Sequence, residues 1–335
     1  MSGRPVTVWL VLLGAMYAAT LFAGPIAPYA PVAQNRDAAF APPTRLHFDG
    51  APFVYRMVSR PGQPDEYDED RSRRYPIRFF AHGAPYEVAG LVAADRHLFG
   101  VDPPATIFLF GSDQFGRDLF SRVVFGGQIS LVAGVLGAAL ALLVAVALGA
   151  LAGFYGRWAD DAIMRTSEVV LALPWLYLLL AIRSLLPLHL DPRHAFLLIV
   201  MALGLAGWAR PARLIRGVVR SIRSRDHVVA ARASGATDVY LLWHHVLPQT
   251  SGLVLTQFAL LIPQYILAEI TLSFFGLGVG EPAPSWGALL AAAQRYDVLS
   301  SYWWMLLPGI AVIPVFLLYY ALGNALHRAH AASLL

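Results

Sequence analysis

The sequence predicts an all-α polytopic membrane protein of six transmembrane helices, with a helical hairpin held in water and a small exported insertion of irregular and β structure. Three observations carry that prediction. The 335 residues are 57% hydrophobic and only 14% charged, with a mean hydropathy of +0.57, outside the range of ordinary soluble domains. Six stretches approach the roughly 20 apolar residues that a helix needs to cross a bilayer. Asp226–Pro248 stands apart from them as a polar, capped segment inside an apolar core.

The first apolar stretch, about 6–23, follows Arg4 and reads as a retained anchor within a 1–26 unit. A signal peptide is the competing reading, with Leu21-Phe22-Ala23 as a poor cleavage site. Residues 27–110 are the long polar region, rich in Pro, Asp and Arg, and read as an exported insertion. Phe53–Tyr55 and Ile77–Phe80 have strand composition, and His82–Pro85 suggests a turn into Tyr86–Val88. Asp65–Asp70, followed by Arg71, Arg73 and Arg74, lacks the glycine and terminal glutamate of an EF-hand and reads as a self-compensating loop.

Residues 111–128 form the segment before the core. Asp113 is expected to cap a helix with Phe115, Leu119, Phe120 and Val123 on one face, lying along the membrane surface. The core, 129–326, holds the second to sixth spans at about 129–155, 162–186, 195–214, 253–275 and 303–326, the third span, 162–186, being interrupted by Pro174. A tail, 327–335, follows. Between the fourth and fifth spans lies the hairpin, 226–248. Asp226 is expected to cap its first helix and Gly235 to end it in a left-handed conformation. Thr237 or Asp238 is expected to cap the second helix, and Pro248 to stop it. Ala230 and Ala231 leave one side nearly flat, so another protein can approach closely.

Arginine sets the orientation. Arg210, Arg213, Arg216, Arg220, Arg223, Arg225 and Arg232 crowd the end of the fourth span and the hairpin, while the loops on the other side hold only Arg193 and Arg295. Positive charge stays cytoplasmic and long exported regions count little, which places the hairpin and both termini inside and 27–110 outside.

Composition removes several chemistries. All 25 basic residues are Arg, so there is no phosphate-loop lysine and no Schiff base. With no Cys there are no disulfides, thiolate metal sites or cysteine nucleophiles. The ionisable residues of the spans, Arg165, Glu168, Arg183 and Glu269, lack the series that an ion relay needs. The adjacent His244 and His245 point about 100° apart on a helix and fit packing better than a shared metal. No active site is expected on this chain.

Four stretches, in order, carry a resemblance: Pro25–Gln34, Phe110–Leu131, the hairpin with Val229-Ala230-Ala231, Gly235 and Leu247-Pro248, and Leu272–Leu290. The chain resembles ABC importer permeases, and within them the C-type subunit of the peptide/nickel (dipeptide/oligopeptide) family. The resemblance implies a non-enzymatic subunit of the inner or plasma membrane that lines the pathway for peptides or a similar small solute. It implies a second permease subunit in a heterodimer, two ATPase subunits that carry ATP and Mg, an extracytoplasmic solute-binding protein and surrounding lipid, with no cofactor on this chain and no nucleic acid. It makes Val229, Ala230, Ala231, Arg232, Gly235, Leu247 and Pro248 the ATPase-coupling loop, with Arg232 free to reach an acidic partner surface. Gly111, Asp113, Gly116, Arg117, Asp118, Ser121 and Arg122 match the family segment before the second span and read as structural. The sequence departs from the family pattern at Val229, which replaces the glutamate of its E-A-A. The alternatives are an ion-coupled secondary transporter using Glu168 and Glu269, and a membrane-anchored binding protein whose working part is 27–110.

Overall fold

The computed structural model describes residues 4–60, 62–88, 92–184 and 191–332. The chain forms two compact units, one of Met1–Leu10, Ala133–Leu272 and Phe316–Leu335, the other of Val11–Val132 and Ser273–Val315. The first is helical, and the second adds the two sheets of residues 47–100 to helical and loop segments.

In the second unit, β1 (His47–Asp49), β2 (Ala51–Arg60) and β3 (Gln63–Pro76) form an antiparallel sheet, and β4 (Arg78–Val88) pairs with β5 (Val92–Gly100). The acidic and basic run expected as a loop is therefore a strand. Its charges are met across the sheet rather than by water alone: Asp68 pairs with Arg60 at 2.9 Å, Glu69 with His47 at 2.8 Å and Arg74 with Asp49 at 2.6 Å. The expected turn at His82–Pro85 is a bulge inside β4, where the pairing shifts between His82 and Tyr86. Val54, Tyr75, Ala105 and Ile107 make a small core under these strands, closed by Tyr29, Ile77 and Phe99.

The helix after this region runs unbroken from Leu119 to Tyr155, 37 residues or about 55 Å. No separate surface helix precedes it, and Asp113 is not its cap. Asp118 is: its carbonyl accepts from the Arg122 N–H at 3.1 Å and its carboxylate from the Ser121 N–H at 2.8 Å. Asp113 folds the turn before it, accepting from the N–H groups of Phe115 and Arg117 at 2.9 and 3.0 Å.

Among the described residues three helices are long and apolar enough to cross a membrane, Leu119–Tyr155, Asp238–Phe274 and Trp303–Leu326. Two bent pairs raise the number to five if each is one span: Arg157–Ala172 with Trp175–Ala181 at 91°, and Pro192–Gly207 with Ala209–Arg223 at 45°. The apolar helix Val6–Leu21 is shorter. The third and fourth predicted spans are the broken ones. At the first break Leu173 precedes a proline and is driven to extended backbone, ψ 131°, which ends the helix. The third span was expected to reach residue 186; 185–190 and the Arg183 side chain lie outside the described residues. The last helix continues through Ala332, so 327–332 extend it instead of forming a tail, and 333–335 lie outside the described residues.

Within the first unit the Leu119–Tyr155 helix meets Ala209–Arg223 at backbone distance. A Cβ on Gly149 would stand 2.6 Å from the Ala212 carbonyl oxygen, and one on Gly153 2.7 Å from that of Arg216. Without a hydrophobic drive between helices in lipid, such close approach is what holds them. Asp160 and Arg216 add an ion pair, with Arg216 Nε donating to Oδ1 at 2.7 Å.

Candidate functional site

The hairpin is built as two short helices around a glycine turn. Its first helix is Asp226–Ala233. Asp226 is the first helical residue, not the cap; Arg225 holds that place without a side-chain capping bond, its guanidinium donating to Gln249 at 3.1 Å instead. The carboxylate of Asp226 still stands in the first turn, where the helix dipole favours an anion. Gly235 takes φ +89°, donating to the Arg232 carbonyl at 3.0 Å, and the Ala236 N–H reaches the Ala231 carbonyl at 3.1 Å. Thr237 caps the second helix, Asp238–Leu241, its Oγ1 accepting from the Tyr240 N–H at 3.3 Å.

Pro248 does not stop that helix. A π turn, Leu242–Val246, intervenes and the helix Leu247–Phe274 continues through the proline. The Leu247 N–H donates to Leu242, five residues back, so the hydrogen-bond ladder has slipped by one before it meets a residue without an N–H.

Val228, Leu241 and Val246 are buried and fix the hairpin, which leaves an apolar surface exposed. Val229, Val239, Tyr240 and Trp243 are 54%, 61%, 48% and 64% exposed, with Ala230 exposed and Ala231 half-buried between them. Arg232 is engaged at home: it donates to Asp238 at 3.0 Å and lies 5.4 Å over the Phe154 ring, tying the two short helices together. The Arg232 side chain remains 43% exposed beside that clamp. Leu247 is half-buried and Pro248 exposed at the hairpin's far end.

The other matched segment forms a buried polar cluster. Arg117 donates to Asp113 at 2.7 Å and to Glu281 at 2.9 Å, and Arg122, 1% exposed, donates to Glu281 at 2.8 Å. Burial works to raise Glu281, but Arg122 and Arg117 prevail and hold its carboxyl below the usual range. Asp118 has no such cation, and burial pushes it up to about 7 against the hydrogen bonds from Ser121. Gly111 and Gly116 take positive φ, +75° and +69°, each against another chain segment, Trp304 and Asn35 respectively. Glu281 was missed in the sequence, although it is the one charge in Leu272–Leu290. Trp286 and Trp304 were missed too; their indoles donate to the carbonyls of Val123 at 2.8 Å and Ser112 at 3.2 Å.

Glu168 and Glu269 occupy unlike places. Glu168 is exposed and 3.7 Å from Arg213, whereas Glu269 is completely buried. Among the described residues no group of three or more His, Asp or Glu could hold a metal ion.

The chain thus combines continuous and broken apolar helices with a hairpin that exposes apolar side chains. The chain belongs to the binding-protein-dependent transport system inner membrane components, whose family pattern matches residues 145–331. It is therefore a permease of the ABC importer class, a transport component rather than an enzyme. A putative peptide transport system permease protein of Brucella suis biovar 1 is 36% identical over 229 residues, covering 68% of this chain and 75% of its own. The dipeptide transport system permease protein DppC of Bacillus subtilis is 35% identical over 247 residues, covering 73% and 74%. The glutathione transport system permease protein GsiD of Pectobacterium atrosepticum is 32% identical over 245 residues, covering 73% and 78%. Among solved structures, the inward-facing MetNI methionine ABC transporter aligns with a TM-score of 0.48 at 16% identity, over 63% of this chain and 97% of that one.

Proposed function

We propose that this chain forms half of the pathway by which a heterodimeric ABC importer moves small peptides into the cell, and that Asp226–Pro248 is the loop through which two separate ATPase subunits drive it. The observation that carries the reading is the hairpin: a glycine-set turn, internally clamped by Arg232 and Asp238, that exposes Val229, Val239, Tyr240 and Trp243. Exposed apolar residues grouped on a rigid element mark a protein contact. Cargo of the peptide class follows the relatives named as peptide and dipeptide permeases.

In this reading the shorter Val6–Leu21 helix and the five spans make six, so both termini and the hairpin face the cytoplasm. A solute-binding protein delivers cargo outside, and the chain itself binds no ATP, Mg or other cofactor. ATP-driven closure of the ATPases turns the spans as rigid bodies between inward-open and outward-open packings. Val229, in place of the family's glutamate, offers the ATPase an apolar contact where relatives offer a charge.

Gly235→Val tests the loop in vesicles holding the complete transporter. A β-branched side chain cannot take φ +89° without strain, so the turn must open. Hydrolysis is expected to persist while peptide uptake falls about tenfold or more, equivalent to roughly 1.4 kcal/mol of lost coupling. Uptake that stays proportional to hydrolysis would refute the coupling role. Uptake that needs no ATPase and collapses with the ion gradient would favour the Glu168 and Glu269 carrier instead.

A further inference from the structure

Two helix breaks open onto one cavity. Leu173 and Pro174 from the 91° break and Gly207 from the 45° break all line a space of about 510 Å³ in the first unit. Interrupted backbone at membrane depth is tolerated where it is buried in protein or lines a watery cavity, and transporters set discontinuous helices around their cargo. The volume falls inside the span of small-ligand pockets, about 300–1,000 Å³.

The lining has the composition of a binding site. Leu171, Leu261 and Leu267 supply apolar wall, and the ring of Trp175 stacks on that of Tyr265 with centroids 5.9 Å apart. The polar groups are few: the exposed guanidinium of Arg210, the exposed amide of Gln264 and the hydroxyl of Tyr265. Tyr265 is the telling one. It is 2% exposed, yet its hydroxyl has no hydrogen-bond partner among the described residues. A buried polar group left so costs about 1–3 kcal/mol, which an acceptor entering the cavity would recover. Among the described residues no carboxylate lines the cavity and Arg210 does, so the field inside it favours an anion.

We propose that this cavity is a cargo subsite that takes the carboxylate end of a small peptide bearing an apolar side chain. Arg210 and the Tyr265 hydroxyl donate to the carboxylate, Gln264 adapts to the adjoining amide, and Trp175 with the leucines receives the side chain. The proposal rests on the peptide-importer reading and adds the group by which the membrane subunit itself grips cargo.

The absence of cysteine makes a direct test available, because Gln264→Cys creates a single thiol in this chain. The assembled transporter, with its other subunits freed of reactive thiols, is placed in lipid vesicles. Alanyl-leucine is supplied on both faces, so that delivery by a binding protein is not required. Labelling by a small cationic thiol reagent is expected to slow about tenfold, as one charge-assisted hydrogen bond predicts, and not to slow with the C-terminally amidated dipeptide. Arg210→Gln in the same background should abolish the protection and, in the otherwise unchanged transporter, raise the KM for uptake about tenfold. Leu267→Cys replaces Gln264→Cys if that variant does not assemble.

Absence of protection while the same dipeptide is still taken up overturns the subsite and leaves the peptide reading standing. Protection that survives Arg210→Gln, or is equal for the amide, does so as well. Labelling that is blocked without peptide and released by changing the acyl chains assigns the cavity to lipid and overturns the subsite. Failure of ATP-driven uptake for every short peptide overturns both readings together.

Discussion

Asp118→Asn isolates one buried carboxyl. The residue is 3% exposed, and burial raises its pKa from 3.8 to about 7 even though Ser121 donates to it from both N–H and Oγ. Between those two values the unfolded chain has lost this proton while the folded protein keeps it. Stability contributed by this site therefore falls as pH rises, by about 1.4 kcal/mol per pH unit. From about pH 5 to about pH 7 the loss is about 2 kcal/mol, because the folded group is itself half ionised at the upper limit. Asparagine has the shape of the neutral acid and cannot ionise, so the variant keeps its stability over that range. The measurement is the thermal midpoint of the purified transporter, followed by tryptophan fluorescence at both pH values. At a few degrees per kcal/mol the wild-type midpoint should drop about 5 °C further than the variant's. Other titrating groups are common to both proteins and cancel in the difference. Equal drops would mean that Asp118 is already charged in the folded state at the lower pH.

Gly116→Ala should destabilise by about 3 kcal/mol or more, since the new Cβ would overlap the Asn35 carbonyl and the backbone stands at φ +69°; a midpoint within a degree of wild type would show that the 35–44 strand of chain can withdraw freely. Glu281→Gln should cost about 2 kcal/mol, less than the loss of a fully buried pair because the Glu281 side chain is 52% exposed. The same thermal assay reads it, and a second change of Arg122 to Met should restore part of the loss by removing the stranded charge.

The prolines show how much of the fold was legible and where reading stopped. The spans were visible because apolar length is a one-dimensional property, and the hairpin because caps and a turn glycine are local. Gly235 and Thr237 sit where such local rules put them. Pro174, Pro248, Pro263 and Pro314 each lie well inside or at the end of a predicted helix, and a local rule treats them alike. Pro174 does end a helix, since Leu173 before it takes extended backbone. Pro263 and Pro314 remain inside helices, and Pro248 is passed by a π turn that shifts the hydrogen-bond partners one residue back. Which outcome prevails depends on what surrounds the freed carbonyls: neighbouring helices in lipid can re-satisfy them, and a cavity can hydrate them. That information is tertiary. The same limit hid Glu281, which meets Arg117 and Arg122 across more than 150 positions of chain, and it hid the convergence of two helix breaks on Tyr265. Cap and turn residues can be read one stretch at a time; a buried charge or a cavity is a relation between stretches, and only the packed chain states it.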